Sequence, residues 1–375
     1  MKITHVGAAL LEQAWVLVKV KTDEGLVGIG EAYHGAGVHH IAVDERLTQR
    51  ALIGQDPCNV DKLFRDMQNS MSASGFYQGA VMSAISGIEM ALWDITAQSL
   101  GVPIWQLLGG AFRDSIRVYN DCHAGDDAED PASWAATARR VEARGFDAIK
   151  FDIDPKPTQR DHYNRTISNR DIAFYIDVVT AIREAIDPNT DLAIDAHWRY
   201  APADILKVAY AFESLNLWWL EDPIPPHNVA ALRELKAATR VPICTGENHY
   251  TRQGFRELVE TQATDIISPD LAKAGGLSEG RRIADLADMY YIPMSPHNIC
   301  GPIGTIAACH TCAASPNFQA LEFHHLDNEL WNSLTVEQDL IKQGQIALPS
   351  TPGLGVTLNE EVARRATRED LGFFD

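Results

Sequence analysis

Six acidic or histidine residues follow short apolar runs at nearly constant intervals in the second half of the chain. They are Asp195, Glu221, Glu247, Asp270, His297 and Glu322, separated by 26, 26, 23, 27 and 25 residues. This interval is the length of one strand, loop and helix, so each residue occupies an equivalent place on successive strands. In a parallel sheet closed into a barrel, these side chains converge at the mouth formed by the carboxyl ends of the strands.

Three of these residues, Asp195, Glu221 and Glu247, are carboxylates on consecutive strands. Carboxylates gathered within a few ångströms repel one another, which raises their pKa values. A divalent cation relieves this repulsion, and oxygen ligands with room for water and substrate are what Mg²⁺ prefers, whereas Zn²⁺ favours thiolate and imidazole. The pattern therefore predicts a magnesium site. The alternative for any single acid is a helix cap or a salt bridge.

His297 and Asp270 end neighbouring predicted strands, in the tripeptides SPH and SPD. A carboxylate that accepts a hydrogen bond from one imidazole nitrogen fixes the tautomer and raises the basicity of the other nitrogen, which favours general-base catalysis. His197 follows Asp195 by two residues, so strand alternation predicts that it also faces the mouth. We interpret it as a second proton donor or acceptor. The alternative for either histidine is a structural residue at the barrel rim.

The strands that carry these residues are indicated by apolar runs that alternate with amphipathic helical patterns from about residue 115 onward. The runs begin near Val118, Ala148, Leu192, Leu217, Ile243, Ile266, Ile292 and Ala320. Eight parallel strands close a (β/α)8 TIM-type barrel, so we predict an α/β barrel over residues 115–345. A doubly wound open sheet is the competing topology, but no glycine-rich fingerprint follows an early strand.

Residues 1–114 read as a separate α+β unit. Valines at 16, 18 and 20 alternate with lysines, a turn signal follows at residues 23–25, and apolar residues resume at Val27, which indicates a hairpin. A helical pattern runs from Ala80 to Leu100 and stops at Gly101-Val102-Pro103. We expect strands followed by helices in this region.

Composition excludes several classes of partner. The chain has 375 residues and a formal net charge of −19, without a Lys/Arg run, so nucleic acid and anionic membranes are not expected partners. An anionic small-molecule substrate would need a local positive feature such as a metal. No signal peptide or run of membrane-spanning length is expected, which predicts a soluble cytoplasmic protein. The six cysteines are scattered, so a disulfide framework is not expected.

The motifs AIKFD, IDAH, WLEDP, TGEN, SPDLAKAGG and IPMSPHN resemble, in order and spacing, the enolase superfamily. The resemblance is to its mandelate racemase subgroup, and most closely to sugar-acid dehydratases of the galactonate dehydratase type. It implies a modified barrel covered by an α+β capping domain, which residues 346–375 complete. It also implies Mg²⁺ on Asp195, Glu221 and Glu247, and a base dyad of His297 with Asp270. Symmetric homo-oligomers are frequent in this family.

The chemistry that the resemblance implies is abstraction of the proton α to a carboxylate, with an enediolate intermediate. By analogy with the dehydratases, His297 takes this proton and His197 protonates the departing β-hydroxyl, which gives a 2-keto-3-deoxy sugar acid. Lys150 would add positive charge beside the substrate carboxylate, and a protonated Glu322 would donate a hydrogen bond to it. The alternatives are a racemase, epimerase or cycloisomerase that uses the same intermediate, and a non-catalytic member of the fold.

The sequence departs from the subgroup at two places. Racemases carry Lys-x-Lys on the second barrel strand, whereas this chain has Lys150-Phe151-Asp152, which favours one-sided proton abstraction with elimination. Asp152 either binds a substrate hydroxyl or pairs with Lys150. Asn248 stands where galactonate dehydratases have an arginine, so the identity of the sugar acid stays open. The polar segment 154–169 is either a lid that brings Arg160 or Tyr163 to the substrate or a surface insertion.

Overall fold

The computed structural model describes residues 1–75, 77–153 and 162–374. Its strands form two sheets. The strands are β1 (Ile3–Leu10), β2 (Val16–Thr22), β3 (Val27–Ala32), β4 (Ser115–Cys122), β5 (Ala148–Asp152), β6 (Asp191–Asp195), β7 (Trp219–Glu221), β8 (Ile243–Thr245), β9 (Ile266–Ile267), β10 (Leu321–Phe323), β11 (Ile341–Lys342) and β12 (Gln345–Ala347).

The helices alternate with the strands in the second half of the chain. They are α1 (Ala36–Ala42), α2 (Val60–Ser70), α3 (Gly79–Leu100), α4 (Ile104–Leu107), α5 (Pro131–Glu142), α6 (Asn169–Ala185), α7 (Pro202–Phe212), α8 (Val229–Ala238), α9 (Thr251–Glu260), α10 (Gly276–Asp288), α11 (Pro302–Ala314), α12 (Glu329–Ser333) and α13 (Glu360–Arg365). A π-helical turn covers Thr48–Leu52, and 3₁₀ turns cover Ser72–Ser74, His162–Asn164 and Glu213–Leu215.

The N-terminal sheet is antiparallel, in the order β1-β2-β3, and it packs against α3. The predicted hairpin is confirmed as β2 and β3, and the predicted helix as α3; strand β1 was not predicted. Helix α3 is long and apolar enough to cross a membrane, so the expectation that no segment reaches that length was wrong. Since 89% of its most apolar window is buried inside the protein, the helix serves as the core of this half.

The second sheet closes into a barrel. Strands β4 to β9 pair in parallel in chain order, and β10 pairs in parallel with β4. Between β9 and β10 only Met294 pairs, with Ile267 on one side and Phe318 on the other. The strand predicted near Ile292 is thus reduced to one residue, because the prolines at 293 and 296 lack the N–H groups that a longer ladder needs. The closed barrel is confirmed over the open sheet.

The last residues of the described chain return to the N-terminal sheet. The backbone N of Arg368 donates to Leu10 O at 2.9 Å, and that of Phe374 donates to Ala8 O at 3.1 Å. The hairpin β11-β12, just before this segment, pairs instead with β4 of the barrel. These contacts agree with a C-terminal segment that completes the capping domain, and the boundaries after residues 114 and 345 stay predictions.

Candidate active site

A layer of mainly apolar side chains lies inside the barrel, just below its mouth. It consists of Tyr119, Ala148, Ala193, Trp219, Cys244, Ile266 and Ala320, from seven strands or their edges. The residue two positions later on a strand faces the same side. At that position five strands carry charged residues, which are Asp121, Lys150, Asp195, Glu221 and Glu322. Strand alternation thus stacks a charged layer on the apolar layer, at the carboxyl ends of the strands.

Lys150 is the centre of the charged layer and is buried. Its Nζ lies 3.2 Å from Asp121 Oδ2, 3.1 Å from Asp195 Oδ2, 3.2 Å from Glu221 Oε2 and 2.5 Å from Glu322 Oε1. Burial by itself lowers the pKa of Lys150, but the surrounding carboxylates raise it well above its ordinary value. The lysine is therefore a permanent cation that compensates only part of the negative charge around it.

The pKa values of two carboxyl groups that contact this lysine shift in opposite directions. Burial, together with Asp195 and Glu322, raises the pKa of Glu221 to about 8, although Lys150 opposes this shift. Burial also raises the pKa of Glu322, but Lys150 and His297 outweigh it and hold that pKa well below the ordinary value. The lowered pKa and the contact with Lys150 favour an ionised, accepting Glu322, and the protonated donor that the resemblance implies stays a prediction.

His297 and Asp270 are brought together as predicted. Nδ1 of the imidazole lies 2.7 Å from Asp270 Oδ2, and Nε2 lies 3.0 Å from Glu247 Oε2. Burial alone lowers the pKa of His297, but Glu247 and Glu322 raise it well above its ordinary value. His297 in turn lowers the pKa of Glu247 to about 2, against the effect of burial. With Asp270 on one nitrogen, the other nitrogen is oriented toward the carboxylates at the barrel mouth.

Glu247 reaches this position because a glycine precedes it. A Cβ atom on Gly246 would lie 2.8 Å from the backbone N of Ser268, in the segment after β9. The chain between β8 and Glu247 therefore passes too close to its neighbour for any side chain. This explains the glycine of the TGEN motif.

His197 also lies at the mouth, but for a different reason from the predicted one. Strand β6 ends at Asp195, and His197 has a left-handed φ of 43°, so strand alternation no longer applies. The backbone N of His197 instead donates to Asp195 Oδ1 at 2.8 Å, and its Nε2 lies 3.7 Å from Asp195 Oδ2. A turn closed by the Asp195 side chain thus places His197 beside Asp195, which is a predicted metal ligand.

Asp152 lies beside Asp195 and His197. Burial, with Asp121 and Asp195 as further causes, raises its pKa to about 9. Within the described residues, the ion pairs of Lys150 do not include Asp152, so the interpretation of Asp152 as the partner of Lys150 is not supported there. Its carboxylate is grouped with Asp195 and His197 instead.

The donor atoms fit a divalent cation. In the described chain, two sets of three have ligand atoms within 4.8 Å of one another: Asp152, Asp195 and His197, and His297, Glu322 and His324. Glu221 Oε1 is buried and finds no hydrogen-bond donor among the described residues. An excess of carboxylate oxygens with such an unpaired atom is the environment that a hard cation stabilises. The predicted ligands Asp195 and Glu221 contact Lys150, whereas Glu247 contacts His297, so their joint ligation stays a prediction.

Sequence reasoning missed three residues of the site. Asp121 is the penultimate residue of β4 and is ion-paired with Lys150, and His324 Nε2 lies 3.2 Å from Glu322 Oε1. Lys273, buried beside Glu247, was not assigned a role. A signal for the first two was present, because Asp121 follows the apolar Tyr119 by two positions and His324 follows Glu322 by two. Extending the alternation to the first and last strands finds both.

A cleft of about 1090 Å³ borders the site at His197 and Asn248. Its lining includes His197 and Asn248 from the barrel loops and Tyr77 from the N-terminal half. Of the predicted lid residues, Arg160 lies outside the described residues, and Tyr163 is 86% exposed. A second cavity, of about 610 Å³, has Asp121 and His324 among its lining residues.

Family models match both halves of the chain. Residues 133–362 match the enolase C-terminal domain-like family, and residues 4–109 match the N-terminal domain of the mandelate racemase/muconate lactonizing enzyme family. The fold is shared with a mandelate racemase/muconate lactonizing enzyme-like protein from Rubrobacter xylanophilus, with a TM-score of 0.95, 41% identity and coverage of 100% of this chain and 99% of that chain.

Two curated relatives align along nearly the whole chain. A D-xylonate dehydratase of Haloferax volcanii is 43% identical, with 100% of this chain and 91% of the relative covered. A D-galactonate dehydratase of Variovorax paradoxus is 31% identical, with 98% of this chain and 95% of the relative covered. Together with the barrel, the His297–Asp270 pair and the carboxylate cluster, these matches show that the chain belongs to the mandelate racemase/muconate lactonizing enzyme family of the enolase superfamily.

Proposed function

We propose that this protein is a hydro-lyase that removes water from an aldonate-type sugar acid and forms a 2-keto-3-deoxy acid. The observation that carries the proposal is the placement of two proton-transfer groups on opposite sides of one carboxylate cluster. His197 follows β6, the third barrel strand, and His297 follows the Met294 segment, four strand positions further round the barrel. One group can accept a proton while the other donates one.

In this scheme Nε2 of His297 removes the proton from C2 of the substrate. A neutral His297 that donates from Nδ1 to Asp270 carries its lone pair on Nε2, so the proton that this nitrogen shares with Glu247, 3.0 Å away, must be released before His297 acts as the base. The imidazolium that forms is stabilised by the same carboxylate. Because His297 and Asp270 are both buried, water does not compete for the hydrogen bond between them.

The negative charge left on the substrate carboxylate needs a cationic environment. Asp195, Glu221 and Glu247 would hold Mg²⁺, which would supply Lewis acid stabilisation worth several kcal/mol in such sites. The chain's own contribution is Lys150, whose ammonium is kept charged by the surrounding carboxylates. Its fixed position means that little reorganisation is needed when the charge develops.

Elimination requires a proton for the departing hydroxyl at C3. We assign this step to His197, which lines the cleft. Loss of water gives an enol, which takes up a proton at C3 and becomes the 2-keto-3-deoxy acid. Asp152 occupies the place of the second lysine that racemases use on the opposite face, which supports elimination over racemisation. We further propose that Asp152 contacts a substrate hydroxyl.

The higher identity to the D-xylonate dehydratase, 43% against 31% for the D-galactonate dehydratase, supports a five-carbon aldonate as substrate. The test is incubation of the purified protein and Mg²⁺ with D-xylonate, D-galactonate and D-gluconate, with semicarbazide detection of the 2-keto acid. We expect product from D-xylonate at the highest kcat/KM. Deuterium incorporation into recovered substrate from D₂O without any keto acid would instead support a racemase or epimerase.

A further inference from the structure

Lys273 is a buried lysine that the proposed mechanism does not use. Only 5% of it is exposed, and it lies in the loop between β9 and α10. Its Nζ is 3.2 Å from Asn248 Oδ1, 3.9 Å from Glu247 Oε1 and 4.5 Å from the centroid of the Tyr33 ring. A buried ammonium is costly unless it is paired, so these three groups define where it is stable.

The contact with Lys273 determines which way the Asn248 amide faces. An ammonium group has three donors and no acceptor, so only the amide oxygen can be its partner. The amide nitrogen, with two N–H donors, is then directed away from Lys273. Asn248 is half-buried and lines the same cleft as His197. Asn248 thereby presents a neutral hydrogen-bond donor to the cleft, and its contact with Lys273 fixes the orientation of this donor.

We propose that Asn248 is a specificity-determining residue whose Nδ2 donates to a hydroxyl of the substrate beyond C3, and that Lys273 is the positioning residue that holds the amide. This inference rests on the proposed dehydration of an aldonate. A neutral amide suits a hydroxyl oxygen, while the substrate carboxylate is expected at Lys150 and the carboxylate cluster on the other side of Glu247. The recognised class is a polyhydroxy acid with a free hydroxyl at C4 or C5.

The contact is tested with substrate analogues that lack one hydroxyl. Steady-state kinetics are measured for wild type and Asn248→Ala with D-xylonate, its 4-deoxy analogue and its 5-deoxy analogue. Loss of one hydrogen bond to a neutral group corresponds to a change of about three- to tenfold. We expect Asn248→Ala to raise KM for D-xylonate by this factor with kcat nearly unchanged. With the analogue that lacks the contacted hydroxyl, the variant and wild type should have the same KM.

The role of Lys273 is tested in the Asn248 background. Lys273→Met leaves the amide free to rotate, so it should raise KM for D-xylonate by a factor no larger than Asn248→Ala does. The double variant should match Asn248→Ala, because the two residues act through one contact. If the role of Lys273 is purely structural, Lys273→Met should lower the melting temperature. It should then raise KM by the same factor for the deoxy analogues as for D-xylonate. Matched controls are Asn189→Ala, on the surface, and Lys236→Met, whose Nζ binds Thr264 O at 3.0 Å.

The outcomes separate this inference from the proposed function. Turnover of D-xylonate by wild type with an unchanged KM in Asn248→Ala, or with an equal loss for all three substrates, overturns the inference alone. Binding of D-xylonate without turnover overturns the proposed function, and dissociation constants from calorimetry then replace KM in the same comparison. Absence of both binding and turnover for every aldonate overturns both.

Discussion

Nδ1 of His297 lies 2.7 Å from Oδ2 of Asp270, and the backbone register of the barrel produces this contact. Ile267 pairs with Met294, and each partner of the dyad stands three residues beyond its member of that pair. The Ser-Pro dipeptide that precedes each partner carries both segments past the end of the sheet in the same way. Backbone hydrogen bonds from Ile267 N to Pro293 O at 3.0 Å and from Ser295 N to Ile267 O at 2.9 Å hold the two segments side by side and so set the position of the dyad.

The assignment of base and acid predicts different losses for the two histidines. His297→Asn should abolish both exchange of the C2 proton with D₂O and formation of keto acid, since Nε2 is the proposed base. His197→Asn should lose elimination by a factor of about 10² to 10⁴, the usual worth of a general acid, while exchange continues. Proton NMR of recovered D-xylonate measures exchange, and the semicarbazide assay measures product. Exchange lost in His197→Asn and kept in His297→Asn would reverse the roles.

Mg²⁺ should stabilise the folded protein, because the carboxylate cluster has more negative charge than Lys150 compensates. At a free Mg²⁺ concentration a hundred times its dissociation constant, we expect about 2.7 kcal/mol of added stability. Glu221→Ala should lose most of this gain, which thermal melting with and without EDTA measures. Glu257→Ala, on the exposed side of α9, is the control and should keep the gain. An equal Mg²⁺ effect in both variants would argue against Glu221 as a ligand.

Removal of the buried ammonium should be strongly destabilising. Lys150→Met leaves four carboxylates, those of Asp121, Asp195, Glu221 and Glu322, without their shared cation. Breaking a buried pair in this way costs about 3 to 5 kcal/mol. Lys62→Met removes an exposed pair with Asp66 and should cost under about 1 kcal/mol. Urea denaturation without metal compares the two, and equal losses would mean that the Lys150 pairs contribute little to stability.

Glu89 predicts a pH dependence of stability that is independent of the active site. This residue of α3 accepts hydrogen bonds from Leu277 N at 2.8 Å and Ser278 Oγ at 2.6 Å. Burial nevertheless raises its pKa to about 7 from the ordinary 4.5. The folded state then holds this proton more tightly than the unfolded state. Its contribution is present below pH 4.5 and is lost as pH rises to about 7.

Glu89→Gln does not titrate, so the difference in unfolding free energy, wild type minus variant, should fall between pH 4.5 and 7. The limiting slope is about 1.4 kcal/mol per pH unit. Urea denaturation at several pH values, with and without the substitution, measures the slope. A difference that grows with pH would mean that the hydrogen-bond donors outweigh burial and that the pKa is lowered instead.

Sequence spacing found the site residues wherever a strand was regular. Asp195 and Glu221 end β6 and β7, and Glu322 is the middle residue of β10; all three obey the two-residue alternation and contact Lys150. The alternation failed for His197, because β6 ends two residues before it and a turn determines its direction. It also failed for the segment at Ile292, where flanking prolines reduce the strand to Met294.

By itself the sequence predicted a shared site, since the repeated interval of carboxylates and histidines at strand ends places them around one barrel mouth, where a cation is expected to offset their charge. It also determined the barrel, through eight apolar runs alternating with helices. Only the tertiary structure decided which residues contact one another there: Glu322 contacts Lys150, Glu247 contacts His297, and Lys273 contacts Asn248. The physical reason is that periodicity fixes the face on which a side chain lies, whereas distances and pKa values depend on partners from distant strands and loops, which no local pattern contains.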